Sequence, residues 1–539
     1  MGILLKNGTV IDGRNTPPYK ADVLISGNEV KEIGQITNAD SDSVIDCSNL
    51  LVVPGFIDIH SHYDFSYFYD KYAVASVMQG ITTEVVGNCG LGSAPINPIV
   101  AAYYNQYVNY MLGDVEFQPF ARIADFMKNI ETNGCSLNVA FLIPQGNVRA
   151  AVMKLDDRYP NSAELAKMQD LVAQGMEDGA YGLSTGLIYP PGSITSTQEL
   201  VELCHIVKQY GGIYTSHIRD EGKGVVSAIS EAIQIGRLSG VPVQISHLKV
   251  VGAFPGSRPK QVMHLIESAR AEGIDITADV YPYTAGNALL SSLLQPWVFE
   301  GGRQQFLKNL SDPEKRRRIL KDFMEFIWTI AGIPWFLRII PKSIWFRLLP
   351  KILSKKVIMT SLPKHTEFVG KTLWEALDTL YRDRPMMDRF LDFLIEEEGQ
   401  VFISMFLMKK ANVIEFMKAP FSMFSTDNLT TKMGNPHPRV YGTYPRILKC
   451  KLLPMEELIY KMTSFPAKRL GLTDRGTLEQ GKKADIVVFD PETVADLATH
   501  QNAKQFPIGI EYVFVNGGLT VEKGKHMNQL NGQILRRKK

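Results

Sequence analysis

Net charge is almost absent from this chain: 58 Lys and Arg stand against 56 Asp and Glu, leaving +2 over 539 residues. So balanced a surface offers no electrostatic footprint for nucleic acid as the main partner. Cysteine is scarce too. The five residues, Cys47, Cys89, Cys135, Cys204 and Cys450, are odd in number and scattered without close pairs. They exclude a disulfide framework and point to a reducing, cytoplasmic setting. No apolar run is long enough to span a bilayer. The opening MGILLKNGTVIDG lacks the basic-then-apolar order of a signal peptide. Internal repeats and low-complexity tracts are likewise missing. What remains is an ordinary globular composition, 45% hydrophobic with 43 Gly and 29 Pro, sufficient for one large domain and a smaller one.

Two textures alternate along the chain. Residues 1–54 carry short β-rich runs (ILLKNGTVID, ADVLISGNEVKEIG, LLVVPG) broken by Asn-Gly, Asp-Gly and Gly-Asn turns. The same texture returns within 473–539 as KKADIVVFD and GIEYVFVNGGLTV. The simplest arrangement joins both termini into one small β-domain, expected as a β-sandwich. Between them, residues 55–472 alternate apolar strands (TTEVVG, GIYTSHI, PVQISHLKV, DITADVYPY, SMFSTD) with helical stretches such as SAELAKMQDLVAQGMEDG and GKGVVSAISEAIQIGRLSG. That alternation predicts a parallel sheet, and its length fits an α/β fold of the (β/α)8, TIM-like barrel type.

In such a barrel, reactive side chains project from the C-terminal ends of strands. His60 and His62 end PGFIDIHSH, and residues two apart on an extended chain face one side. Cys89 ends TTEVVGNCG, His217 ends GIYTSHI, His247 ends VPVQISH and Asp427 ends SMFSTD. Singly, each has a plain structural explanation: a hydrogen-bonded His, a small buried Cys, an Asp opening a loop. Together they form a set of thiolate, imidazole and carboxylate, the usual zinc donors, with four of the ten histidines at barrel-strand ends.

The motifs PGFIDIHSH (54–62), GITTEVVGNCG (80–90), GLSTGLIYPPG (182–192), SHIRDEG (216–222), SHLK (246–249), ADVYPY (278–283), STDN (425–428) and HPRVYGTYPRIL (437–448) give the chain a family likeness. It resembles the amidohydrolase superfamily, and within it the D-aminoacylase (N-acyl-D-amino-acid deacylase) group. The resemblance implies zinc-dependent hydrolysis of the amide of small-molecule N-acyl-D-amino acids. It implies a tight zinc position at Cys89, His217 and His247, a weaker second position at His60 and His62, and Asp427 as the catalytic carboxylate beside both. Cys89 stands where cyclic-amide relatives use a carboxylated Lys. By the same likeness Lys249, Tyr281 and Arg439 form a clamp for the substrate's α-carboxylate, with Tyr189 nearby. Asn287 replaces a Ser common in relatives. Leu289 stands where relatives acting on acidic D-amino acids have an Arg, which favours a neutral or apolar side chain. Other readings are an amidohydrolase acting on a different linear or cyclic amide, and a non-catalytic scaffold of the same fold.

One stretch departs from the pattern. Residues 326–356 hold three of the five Trp and six basic residues, with no acid. Pro334, Pro341 and Pro350 are expected to break any single long helix there. A helical hairpin docked on the barrel or at a homo-oligomer interface is one expectation for this segment. A peripheral-membrane or long-acyl-chain contact is the other.

Overall fold

The computed structural model describes residues 2–37, 41–104, 119–252, 256–299, 302–331, 339, 341–429 and 434–538. Eight short parallel strands form its centre: β1 (Phe56–Asp58), β2 (Ile81–Val86), β3 (Asn138–Phe141, resuming at Ile143–Pro144), β4 (Gly182–Gly186), β5 (Ile213–His217), β6 (Val243–Ile245), β7 (Ile276–Val280) and β8 (Ser422–Phe424). Each pairs in parallel with the next in chain order. The ring closes just beyond β1 and β8. There Ser61 bridges Asn428, the His62 N–H donates to the Asn428 carbonyl at 2.8 Å, and the Asp427 N–H donates to the His60 carbonyl at 2.9 Å. The fold is the expected (β/α)8 barrel.

Local chemistry explains the alternation. The strands are short and almost wholly buried; in Ile81–Val86, rich in β-branched residues, every residue is buried, and Gly80 and Gly87 bound it. The intervening helices carry explicit start and stop signals. Asn161 and Glu164 form a capping box for Ser162–Glu177, Ser196 caps Thr197–Gln209, and Gly240 in the left-handed region ends Val225–Ser239.

Both termini feed one outer sheet. Gly2–Val10 pairs with Tyr19–Ser26 and with Leu51–Pro54. Leu51–Pro54 pairs with Ile486–Phe489, which continues through Ile510–Val515 to Gly518–Glu522. The last strand, Ile534–Leu535, leaves that sheet and pairs with Asn138–Phe141 of β3.

Between β7 and β8 the chain makes an excursion with a core of its own. Strands Gly286–Leu289, Val357–Ser361 and Phe402–Met405 form an antiparallel sheet with the last in the middle. Helices Gly302–Ser311, Pro313–Ala331, Lys342–Ser354, Leu373–Leu380 and Met386–Glu396 pack on it through residues such as Phe306, Leu310, Phe323, Leu377 and Phe390. Residues 332–338 and 340 of the basic aromatic segment lie outside the described residues. Pro341 precedes helix Lys342–Ser354, as a helix-starting proline should, whereas Pro350 sits inside that helix without ending it. No helix among the described residues is long and apolar enough to cross a membrane.

Candidate metal centre

The six side chains picked out at strand ends converge in space. Cys89, His247 and Asp427 reach the cluster from backbones in the left-handed region, with φ of 54°, 35° and 49°. Non-glycine residues seldom adopt that conformation, and it concentrates where side-chain direction serves function. For Cys89 the cause is local. Gly87 and Gly90 flank it at φ of 77° and 69°, and a Cβ on them would meet the Leu142 carbonyl at 2.3 Å and the Gly186 nitrogen at 2.7 Å. Only glycine permits so tight a loop, which turns the thiol back over the barrel axis.

The Cys89 sulfur lies 3.3 Å from His60 Nε2 and 3.6 Å from His247 Nε2. His247 Nε2 lies 3.0 Å from His217 Nδ1. Asp427 Oδ1 is 3.6 Å from His60 Nε2 and 3.5 Å from His62 Nε2. Donor atoms within 4.8 Å of one another form three overlapping triads: His60, Cys89 and His247; His60, His62 and Asp427; His217, Glu221 and His247. Soft thiolate and imidazole at one end, imidazole and carboxylate at the other, are donors suited to zinc or a similar divalent ion. His217 turns Nδ1 toward the cluster and Nε2 toward the Glu221 carboxylate, 3.5 Å away.

Electrostatics couples the donors: the thiolate is ready for a metal, and the raised imidazoles would give up their protons on binding one. Burial would raise the Cys89 thiol, but the His60 and His247 imidazoles outweigh it and hold the group well below its ordinary value, as thiolate. Burial opposes protonation of His60, yet the Cys89 thiolate and the Asp279 carboxylate raise it well above the usual range. His62 is raised to about 9 against burial, by Asp427 and Cys89. Asp427 is held well below the ordinary carboxylate range: burial opposes this, and the Arg439 guanidinium and His247 prevail.

Two carboxylates absent from the sequence reading belong here. Asp279 lies 3.4 Å from His60 Nδ1, accepts the His247 backbone N–H at 2.9 Å and the Ser425 hydroxyl at 2.6 Å, and so orients two histidines. Its signal was available: it lies two residues before Tyr281, on the same side of β7. Glu221 stands 3.5 Å from His217, 3.4 Å from His247 and 2.7 Å from Lys249. Only its i,i+4 spacing from His217 marked it.

The expected clamp residues are placed unevenly. Arg439 is buried and donates to Asp427 at 2.6 Å, while its buried Nε has no hydrogen-bond partner. Lys249 pairs with Glu221 and lies 2.8 Å from His247 Nδ1; burial opposes its charge, and Glu221 restores and raises it. The Tyr281 ring lies under both cations, 5.2 Å from the Arg439 guanidinium and 5.8 Å from Lys249 Nζ, and its buried hydroxyl has no partner. Tyr189 donates to the Cys89 carbonyl at 2.6 Å and packs edge-on against His217, so it steadies the thiolate loop. Asn287 pairs with Ser404 in the excursion's sheet and its buried side-chain oxygen is unpartnered. Leu289, 5% exposed, sits in the excursion's own core.

A metal-donor cluster at the C-terminal mouth of a closed (β/α)8 barrel defines the class, and comparison with known proteins agrees. The amidohydrolase family model matches residues 43–204 and 398–521, and the chain belongs to that family, in its D-aminoacylase branch. The D-aminoacylase of Alcaligenes xylosoxydans xylosoxydans is 32% identical over 99% of this chain and 97% of its own. A crystal structure of D-aminoacylase superposes with a TM-score of 0.80 at 31% identity, covering 99% of both chains. The N-acyl-D-glutamate deacylase of Bordetella bronchiseptica, solved with zinc and a phosphonate mimic of the tetrahedral intermediate, gives 0.78 at 27% identity and the same coverage.

Proposed function

We propose that this protein hydrolyses the amide bond of N-acyl-D-amino acids with neutral or apolar side chains, releasing a carboxylic acid and a D-amino acid, with zinc as its metal. The observation that carries the reading is the cluster of one thiolate, four imidazoles and Asp427 at the barrel mouth. Retention of every donor speaks against a non-catalytic scaffold. Cys89, His217 and His247 would hold the tight ion, and His60 and His62 a weaker second one. The ion, when bound, supplies an acidified water and polarises the amide carbonyl.

The chain's own groups do the rest. Asp427, kept ionised and 3.5–3.6 Å from His62 and His60, accepts the proton of the attacking water and returns it to the departing amine nitrogen. Without that proton the amine would have to leave as an anion. Arg439 holds Asp427 through one nitrogen and keeps Nε for the substrate's α-carboxylate, a fork contact that Lys could not copy. The Tyr281 hydroxyl, on a ring 5.2 Å from the Arg439 guanidinium, adds an unpaired polar atom to the same side. Lys249, tied to Glu221, contributes charge to the clamp. Leu289, at the position where relatives acting on acidic D-amino acids have an Arg, supports the neutral preference.

In this reading residues 1–54 and 473–539 make a small β-domain, and 55–472 the hydrolase barrel. The unpaired cysteines, four of five buried, suit the cytoplasm. The test is a hydrolysis panel of N-acyl-D- and N-acyl-L-amino acids, acetyl to long acyl, with metal analysis of the purified protein. Zinc-dependent turnover of D-substrates is expected. Exclusive L activity would overturn the assignment, and equal turnover of N-acetyl-D-Glu and N-acetyl-D-Leu would overturn its side-chain part.

A further inference from the structure

Helix Lys342–Ser354 has two unlike faces. Leu349 and Leu353 turn inward onto the excursion's core, and Pro350, Leu353 and Ser354 line an apolar cavity there. Ile344, Leu348 and Ile352 turn outward, 45%, 46% and 46% exposed. Their spacing of four places them in one row along the helix. A single exposed aliphatic residue needs no explanation, but a row of three on one helix does.

The stretch of sequence that bears the row carries one sign of charge. Between Phe326 and Lys356 the sequence has six basic residues and no acid, in a chain whose net charge is only +2. Lys351, Lys355 and Lys356 are exposed. Lys351 and Lys355 lie 4.6 and 5.8 Å from the ring centroid of the half-buried Trp374, on the neighbouring helix Leu373–Leu380. An aliphatic row edged by lysines and a Trp is the pattern of a helix that lies in a membrane interface. The aliphatic side chains enter the acyl boundary, the lysines meet anionic headgroups, and the indole occupies the interfacial layer. A second protein chain would need matching acids, whereas a bilayer supplies negative charge at any register.

We infer that the outward face of helix Lys342–Ser354, with Lys351, Lys355 and Trp374, is a docking surface for an anionic lipid bilayer. The protein rests on the membrane without crossing it. The inference is independent of the hydrolytic reading, because binding needs no turnover.

Vesicle flotation of the full-length, metal-loaded protein tests it. Vesicles of phosphatidylcholine with about 30% phosphatidylglycerol should carry the protein at least about tenfold better than phosphatidylcholine alone, and salt of about 0.5 M should release it. The double variants Ile344→Glu/Ile352→Glu and Lys351→Glu/Lys355→Glu should each lower binding about tenfold while leaving turnover of an N-acetyl substrate and the melting temperature unchanged. If neither vesicle binds, or if both double variants float like the wild type, the inference fails. It fails equally if light scattering shows a lipid-free dimer that these variants dissociate, since the face would then meet a second copy. Should turnover be absent throughout while flotation behaves as stated, the hydrolytic reading falls and this one stands.

Discussion

The barrel mouth and the β7–β8 excursion are built on opposite principles. At the mouth, charged groups are buried and each is held by another: Asp427 by Arg439, Glu221 by Lys249, His60 by Asp279. Removing one member leaves an uncompensated charge out of water, which costs about 3–5 kcal/mol. The excursion is held by aliphatic and aromatic packing around residues such as Phe323, Phe390 and Leu377, where cost follows volume rather than charge. The first region is intolerant and chemically committed. The second can be reshaped on its outer faces.

The sharpest way to break this contrast is at the donors. Cys89→Ala should remove both metal and turnover, the latter by about a thousandfold or more, read by metal analysis and hydrolysis assays. His60→Ala should abolish turnover while much of the metal remains. Asp427→Asn should lower turnover by about 10²–10⁴-fold through loss of the proton carrier, while the ion held by Cys89, His217 and His247 remains.

Smaller effects come from the residues around the donors. Glu221→Gln should weaken metal affinity or turnover by about 10–100-fold, since it orients two histidines and Lys249. Metal-free protein should show a pH effect through His62. Its folded value of about 9 is raised, so its stabilisation is complete below the unfolded value of about 6.5 and fades as pH rises through about 9. Melting temperature of the stripped protein should therefore fall across that window, and His62→Ala should flatten the fall. The smallest effect belongs to the excursion. Met387→Trp, which overfills the apolar cavity from a half-buried position, should destabilise the excursion by about 1–3 kcal/mol, read as a lower melting temperature, and leave turnover of N-acetyl substrates near wild type.

Much of this molecule is legible in its sequence. Strands such as TTEVVG and GIYTSHI, and helices such as SAELAKMQDLVAQGMEDG, announce themselves through local apolar period and turn residues. The six donors stood out because barrel strand ends are where reactive groups go. Harder to see was Asp279, an acid inside a strand whose orientation toward His60 depends on which strand lies across the barrel. Glu221 looked like an ordinary loop acid in RDEG. Leu289 and Tyr189 were visible as family positions, but their packing into the excursion's core and onto the Cys89 carbonyl was not.

The amino-acid order by itself determined the period of strands and helices, the composition of the donor set and the acid-free character of 326–356, because these rest on neighbours a few residues apart. Only the tertiary structure decided which donors meet, which carboxylate restrains which cation, and which face of helix Lys342–Ser354 is left to solvent. Those relations join residues separated by tens to hundreds of positions, as with His60 and Asp427. They exist only once the barrel closes and fixes the angles at which its strand ends face one another.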